Sequence, residues 1–297
     1  MRYVIVTPAK DEENYIEYTI KSICKQTVLP LQWLIVDDGS KDRTFEIIRD
    51  YARRYDWIKV VRRESIIEKR APGPKIISAF YFGMENIDYP EYEILVKLDA
   101  DLTLPEHYFE QVLYEFRKDS NLGICGGICT VRKGEVMVRE PIGDLDHLRG
   151  PIKSYRLGCF HQIGGIKKTV GWDSLDELMA QYYGWKVRVL PQLKVIHHRP
   201  TTTETGRLRA SYRFGRALYS MRYGPLFSLT SSIKWGLQKP YIVSGLIAYC
   251  GYLTALLGSE KKIIDKEIGK YIRQYRKRKI LHKMGLYKNI NSKKNDF

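Results

Sequence analysis

Ile94-Leu95-Val96-Lys97-Leu98-Asp99-Ala100-Asp101 decides how this chain folds. An apolar run this short, ending in two carboxylates one residue apart, predicts a buried strand with a polar tip. Pro105 then opens a helix that carries Phe109, Val112, Leu113 and Phe116 on one face. Upstream the same alternation repeats. Tyr3 to Thr7, Trp33 to Val36 and Ile58 to Val61 read as strands. Between them, Ile16, Ile20, Ile23 and Thr27 share a helical face, as do Phe45, Ile48, Ala52 and Tyr55. Ile76, Ala79, Phe80 and Gly83 make the third such face. Strands alternating with helices predict an α/β fold around a doubly wound, parallel sheet.

In such a sheet, ligands bind beyond the carboxyl ends of the strands. Three of those ends carry polar clusters: Lys10-Asp11-Glu12 after Pro8-Ala9, then Asp37-Asp38-Gly39-Ser40, then Asp99-Ala100-Asp101. Asp38 and Ser40 could simply form a turn and cap the next helix. That explanation covers one cluster well and three converging clusters poorly. Two carboxylates in a D-x-D pair suit a hard divalent ion, and Mg²⁺ commonly shares its sphere with substrate phosphates.

The chain has 297 residues with 50 Lys and Arg against 34 Asp and Glu, a net charge of +16. A hydrophobic content of 44% excludes global disorder. A mean hydropathy of −0.36 excludes a polytopic membrane protein. The charge predicts an anionic partner without choosing among nucleic acid, membrane surface and phosphorylated substrate. The five cysteines include no CxxC pair, so no zinc ribbon or disulfide framework is implied. Cys125 and Cys129 lie in glycine-rich, apolar surroundings and read as buried thiols. Met1-Arg2 leads directly into the first strand without signal-peptide architecture, which points to the cytosol or its membrane face.

From Gly123 to Arg199 the pattern is irregular, with short strand-like runs and one helix from about Asp173 to Tyr183. Residues 205–239 read as basic helix, and Tyr241 to Gly258 is an uncharged run of 18 residues. Three glycines and three tyrosines in that run favour a buried or interfacial helix over a membrane span. Residues 259–297 hold thirteen Lys and Arg against four acids. An apolar segment beside a cationic block such as Arg276-Lys277-Arg278-Lys279 suits an anionic membrane surface.

The chain resembles the family-2 glycosyltransferases of GT-A fold. The resemblance rests on Thr7-Pro8-Ala9 through Glu12-Glu13-Asn14, Val36 through Thr44, Leu98-Asp99-Ala100-Asp101, Gly164-Gly165, Gly171-Trp172-Asp173 and Gly184-Trp185-Lys186-Val187. It implies a GT-A catalytic domain over 1–204, with a nucleotide-binding half at 1–120 and an acceptor half at 121–204. A basic helical extension would occupy 205–297. It further implies sugar transfer from a UDP- or GDP-sugar to a lipid-linked or surface glycan, with inversion and Mg²⁺ or Mn²⁺.

Position by position, the resemblance puts Pro8, Ala9, Lys10 and Glu12 beside the nucleoside or diphosphate. Asp38 would meet the base or ribose, Lys75 (after Pro72-Gly73-Pro74) the donor pocket, and Asp99 the donor sugar or ribose. Asp101 would be the main metal ligand, with Asp99 near it. A late histidine often completes that sphere; of His197 and His198, which alternate across a strand, His197 is preferred. The family's base stands about eleven residues before a Gly-Trp or Gly-Tyr pair, which gives Asp173, although Trp172 replaces the usual Glu before it. Asp173 could otherwise serve its helix terminus alone, and Asp176 and Glu177 are reserve candidates. Tyr155, Arg156 and His161 fall in the acceptor segment without an assigned role. A polyprenyl-phosphate sugar synthase is the near alternative, since its acceptor needs a weaker base. Nucleotidyl transfer would want a glycine-rich basic loop after the first strand. A nucleic-acid-binding protein would want basic and aromatic residues interleaved on a platform; instead the basic excess sits in the tail and the sheet edge is acidic.

Overall fold

The computed structural model describes residues 1–64, 74–89, 91–140, 146–199, 206–237 and 240–286. Pro72, Gly73 and the last eleven residues of the lysine-rich tail lie outside them. The chain divides into two compact units, Met1–Glu204 and Thr205–Phe297.

The first unit is built on one sheet. Strands β1 (Tyr3–Ala9), β2 (Gln32–Asp37), β3 (Ile58–Arg62) and β4 (Ile94–Leu98) pair in parallel in the order β3-β2-β1-β4. Helices α1 (Ile16–Cys24), α2 (Thr44–Ala52) and α3 (Pro74–Met84) connect them. β1, β2 and β4 are buried along nearly their whole length, which is why they read as continuous apolar runs rather than alternating ones. The chain leaves β1 toward β2 on one side, while β4 lies on its other side. The strand order therefore reverses between β1 and β4, and a crevice opens beyond their carboxyl ends.

Beyond β4 the sheet is mixed, not parallel. β8 (Ile152–Arg156) pairs antiparallel with β4, and β6 (Leu122–Lys133) follows, with β7 (Val136–Arg139) as its hairpin partner. β9 (Lys186–His197) runs parallel to β6, and the two-residue β5 (Leu102–Thr103) pairs antiparallel with the end of β9. The region expected to be irregular thus holds two strands of 12 residues each. Their register shifts at Leu122/Ile124 and Gly127/Ile128 break the alternation that would have announced them. Gly127 is required by close approach, since a Cβ there would lie 2.2 Å from the Leu193 carbonyl oxygen.

Helix α4 (Tyr108–Lys118) turns Phe109, Val112, Leu113 and Phe116 into the core, as their spacing predicts. Pro105 lies in the preceding turn, its carbonyl accepting from Tyr108 N at 3.0 Å. Two further helices, α5 (Leu157–Gln162) and α6 (Trp172–Tyr182), complete the unit. Cys125 and Cys129 are buried, and burial pushes both thiols up to about 12, so they stay protonated.

The second unit is helical: α7 (Arg207–Ser220), α8 (Gly224–Trp235), α9 (Val243–Leu257) and α10 (Lys266–Lys283). Among the described residues, no helix is long and apolar enough to cross a membrane.

Candidate active site

Pro8, Ala9, Lys10, Asp38, Lys75 and Asp99 line one open cleft at the β1/β4 reversal. Ala79 of α3 contributes to its wall. These residues come from four separate segments and meet because parallel strands share one carboxyl edge. The tandem aspartates after β2 have different jobs. Asp37 is buried, accepts from Ser40 N at 3.1 Å and pairs with Arg62 at 3.1 Å, so it builds the turn. Asp38 pairs with Arg63, whose Nε donates to it at 2.8 Å. Lys10 Nζ donates to the Asp38 carbonyl at 3.0 Å, which ties the first loop to the second. Glu12 stands outside the cleft lining: its backbone N donates to Thr44 Oγ1 at 2.7 Å and its carboxylate pairs with Arg199.

The pairing of β5 with β9 sets Leu102 opposite His197, and His198 N donates to the Asp101 carbonyl at 3.0 Å. This register places His197 Nε2 3.6 Å from Asp101 Oδ2, with Arg199 Nε at 3.7 Å. His197 Nδ1 lies 3.0 Å from Glu140, which pairs in turn with Arg149 at 3.2 Å. Burial opposes charge on His197, but hydrogen bonds to Asp101 and Glu140 outweigh it and raise the imidazole to about 9. His198 faces away from this cluster, bonded to Thr103 Oγ1 at 2.8 Å and stacked on Tyr15 and Tyr18. Strand alternation therefore separates the two histidines as expected.

Asp101 is buried, and its Oδ1 has no hydrogen-bond partner among the described residues. A buried carboxylate oxygen without a donor is costly unless a cation completes it. Asp99 is not part of this pair; its carboxylate meets the buried ammonium of Lys97. Among the described residues, no group of three or more His, Cys, Asp or Glu side chains is arranged to hold a metal ion. Asp101 suits a divalent ion whose remaining ligands are oxygens of substrate and water, and His197 would join it only by releasing the proton that Asp101 and Glu140 favour.

Asp173 sits in the first turn of α6, behind Gly171 at φ 76°. It does not cap the helix. Its Oδ2 accepts from Gly150 N at 3.3 Å and lies 3.5 Å from His147 Nε2. The Gly150 carbonyl accepts from Lys97 at 2.8 Å, so one glycine connects Asp173 to the lysine that holds Asp99. Burial works to raise the Asp173 carboxyl; the hydrogen bond and charge of His147, with Lys153 and Arg149, outweigh it and hold it well below the usual range. His147 is likewise opposed by burial, yet its bonds to Asp173 and Glu177 raise it to about 9.

Exposure distinguishes Asp173 from its reserves. Its side chain is 25% exposed, whereas that of Asp176 is 1% exposed. Lys153, fully buried, pairs with Asp176 at 2.7 Å and Glu177 at 3.0 Å, and Tyr155 donates its hydroxyl to Asp176. Burial raises the Asp176 carboxyl more than Lys153 lowers it. Tyr155 is thus interior, and Arg156 donates to the carbonyls of Leu122, Phe116 and Asp119, so both act in the scaffold. Trp172 also finds its reason here. Its ring lies 5.3 Å from Lys97 Nζ and 5.8 Å from Lys153 Nζ, giving both buried ammonium groups a π face. Lys153→Met should cost about 3–5 kcal/mol in urea unfolding, because it removes the ammonium that Asp176 and Glu177 share and leaves buried Asp176 without its ion-pair partner. A loss under about 1 kcal/mol would mean that the two carboxylates take up protons at little cost.

Sequence reasoning missed Arg63, Glu140, His147, Arg149 and Arg199. Arg63 follows the end of β3 immediately and Arg199 stands two residues past the end of β9, positions that could have flagged them. Glu140, His147 and Arg149 carry no local signal, since only the fold brings them to Asp101 and Asp173.

A family model described as Glycosyl transferase family 2 matches residues 4–154. The uncharacterized glycosyltransferase YkcC of Bacillus subtilis (strain 168) is 29% identical over 143 residues, covering 47% of this chain and 41% of that protein. The chain thus spans less than half the length of this relative. Among solved structures, S. aureus TarS 1–349 in complex with UDP-GlcNAc matches with a TM-score of 0.55 at 15% identity, covering 72% of this chain and 65% of that one. The mannosyltransferase PcManGT from Pyrobaculum calidifontis, in complex with GDP-Man and Mn²⁺, has a TM-score of 0.54 at 15% identity over 98% of this chain and 82% of that one. The fold is that of the GT-A glycosyltransferases.

Proposed function

Because the chain belongs to glycosyl transferase family 2, we propose that it moves a sugar from a UDP- or GDP-sugar to a hydroxyl of a lipid-linked or surface glycan, with inversion, at the cytoplasmic face of a membrane. The observation that carries this reading is the cleft where Asp38 and Asp99 meet Lys10 and Lys75 at the strand-order reversal. Asp38, fixed by Arg63, is suited to accept from a base or ribose hydroxyl, and the lysines to meet a diphosphate. Asp101 and His197 would hold Mg²⁺ or Mn²⁺, and the bound ion would supply Lewis-acid stabilisation of the leaving diphosphate. TarS and PcManGT, solved with UDP-GlcNAc and with GDP-Man and Mn²⁺, support the donor class and the ion. Asp173 takes the acceptor proton as the hydroxyl attacks the anomeric carbon opposite the leaving group. Gly150 and His147 hold its carboxylate in place.

The hold of His147 on Asp173 favours a second reading. A carboxylate kept this acidic is a modest base, which suits a polyprenyl-phosphate acceptor that arrives already ionised.

Thermal stabilisation by a panel of nucleotide sugars, with and without Mn²⁺, tests the donor class. At a hundredfold excess over Kd the true donor should add about 2.7 kcal/mol. Stabilisation by DNA or RNA and by no nucleotide sugar would replace the transferase reading with nucleic-acid binding.

A further inference from the structure

Two helices of the second unit are built inside out. α9 turns Ser244, Gly245, Ala248, Gly251 and Ala255 toward its neighbours, with Tyr252 the one large side chain among them. Backbones touch there: a Cβ at Gly251 would lie 2.2 Å from the Tyr212 oxygen of α7, and one at Gly245 would lie 2.6 Å from the Ser232 oxygen of α8. Helices that associate in water do so by burying large apolar side chains. On α8 and α9 the leucines and isoleucines named below point outward instead. Ile242 is 71% exposed, Leu246 62% and Leu257 84%, with Leu253 exposed on the same face. On α8, Leu226, Leu229 and Ile233 recur at helical spacing, continued by Leu237 just beyond it, and all four are exposed. Contact through small residues with large apolar side chains outside is how helices pack when the surrounding medium is lipid.

We infer that the outward face of α8 and α9 is a docking surface for an anionic lipid bilayer, entered from one side and not crossed. Charge selects this occupant over a second copy of the chain. Residues 224–258 contain two lysines and no acid, and residues 206–286 contain seventeen Lys and Arg against three Asp and Glu. Two such units repel each other, whereas anionic headgroups attract both. Length sets the depth. The 15 residues of α9 extend about 22 Å, short of a hydrocarbon core of about 30 Å, so the helix lies in the interface. The inference deepens the membrane location proposed above; it does not depend on the transferase chemistry.

The test is flotation of the full chain with vesicles of phosphatidylcholine alone and with added phosphatidylglycerol, beside calorimetry of UDP and GDP binding in Mn²⁺. The chain should float with the anionic vesicles at low salt, and a fraction should persist at high salt because leucines, not only charges, enter the bilayer. L246E/L257E changes two exposed side chains, so it should keep its circular dichroism and its nucleotide binding while losing at least about tenfold in partition. The inference is overturned if the full chain ignores anionic vesicles at low salt, or if L246E/L257E floats like its parent. It is equally overturned if the chain is a dimer that the two glutamates split, without vesicle binding by either form. Flotation without binding of any nucleotide would sink the transferase reading and leave this one standing.

Discussion

Asp101→Asn should abolish metal-dependent nucleoside-diphosphate binding while the protein remains folded. The substitution preserves shape, and His197 keeps its bond to Glu140 at 3.0 Å. What it removes is the negative charge on a carboxylate whose Oδ1 has no donor among the described residues. Losing even an outer-shell partner costs a metal site about 10–100-fold, so losing a ligand should cost at least about 100-fold. Calorimetry of UDP and GDP with Mn²⁺, against the same titration in EDTA, reads this directly. If the metal-dependent heat is unchanged, Asp101 is not a ligand.

Asp173→Asn should lower turnover on a hydroxyl acceptor by about 10²–10⁴-fold with donor affinity little changed. Near-normal turnover would point to a phosphate acceptor. The environment of Asp173 adds a pH test. His147 is raised to about 9 and is therefore charged at neutral pH, where it holds Asp173 ionised. His147→Asn removes that charge, so the carboxyl should rise and the acidic limb of kcat/KM should move to higher pH. A merely structural histidine would leave the limb in place. Stability carries the same signs. Asp173, depressed on folding, contributes above an ordinary carboxyl pKa of about 3.9 and loses that contribution as pH falls. His147, raised on folding, contributes fully below about 6.5 and loses its contribution as pH rises toward about 9. The pair is therefore most stabilising between roughly pH 4 and 6.5.

Much of residues 1–120 was legible in the sequence. β1, β2 and β4 are local apolar runs, and the rule that parallel strands share a carboxyl edge brings Pro8, Asp38 and Asp99 to one cleft. Asp173 was reachable only through the family resemblance, which places a base about eleven residues before a pair such as Gly184-Trp185. Residues 121–204 were not legible in this way. β6 and β9 pair across some sixty residues, as Leu122 opposite Lys186 shows, and their bulges erase the period of two that marks a strand. The two-residue β5 has no sequence signal at all, yet its pairing with β9 brings His197 to Asp101. Tertiary packing likewise decided which carboxylates face solvent. Asp173, Asp176 and Glu177 look alike in sequence, and only the burial of Lys153 beneath α6 takes Asp176 and Glu177 inward. In the second unit, composition announced a basic, partly apolar segment, while helix contacts through Gly245 and Gly251 decided that its leucines point out. Local sequence determines elements through short-range periodicity and sterics. Which polar groups meet depends on strand register and close backbone contact between distant segments, and these exist only once the chain has folded.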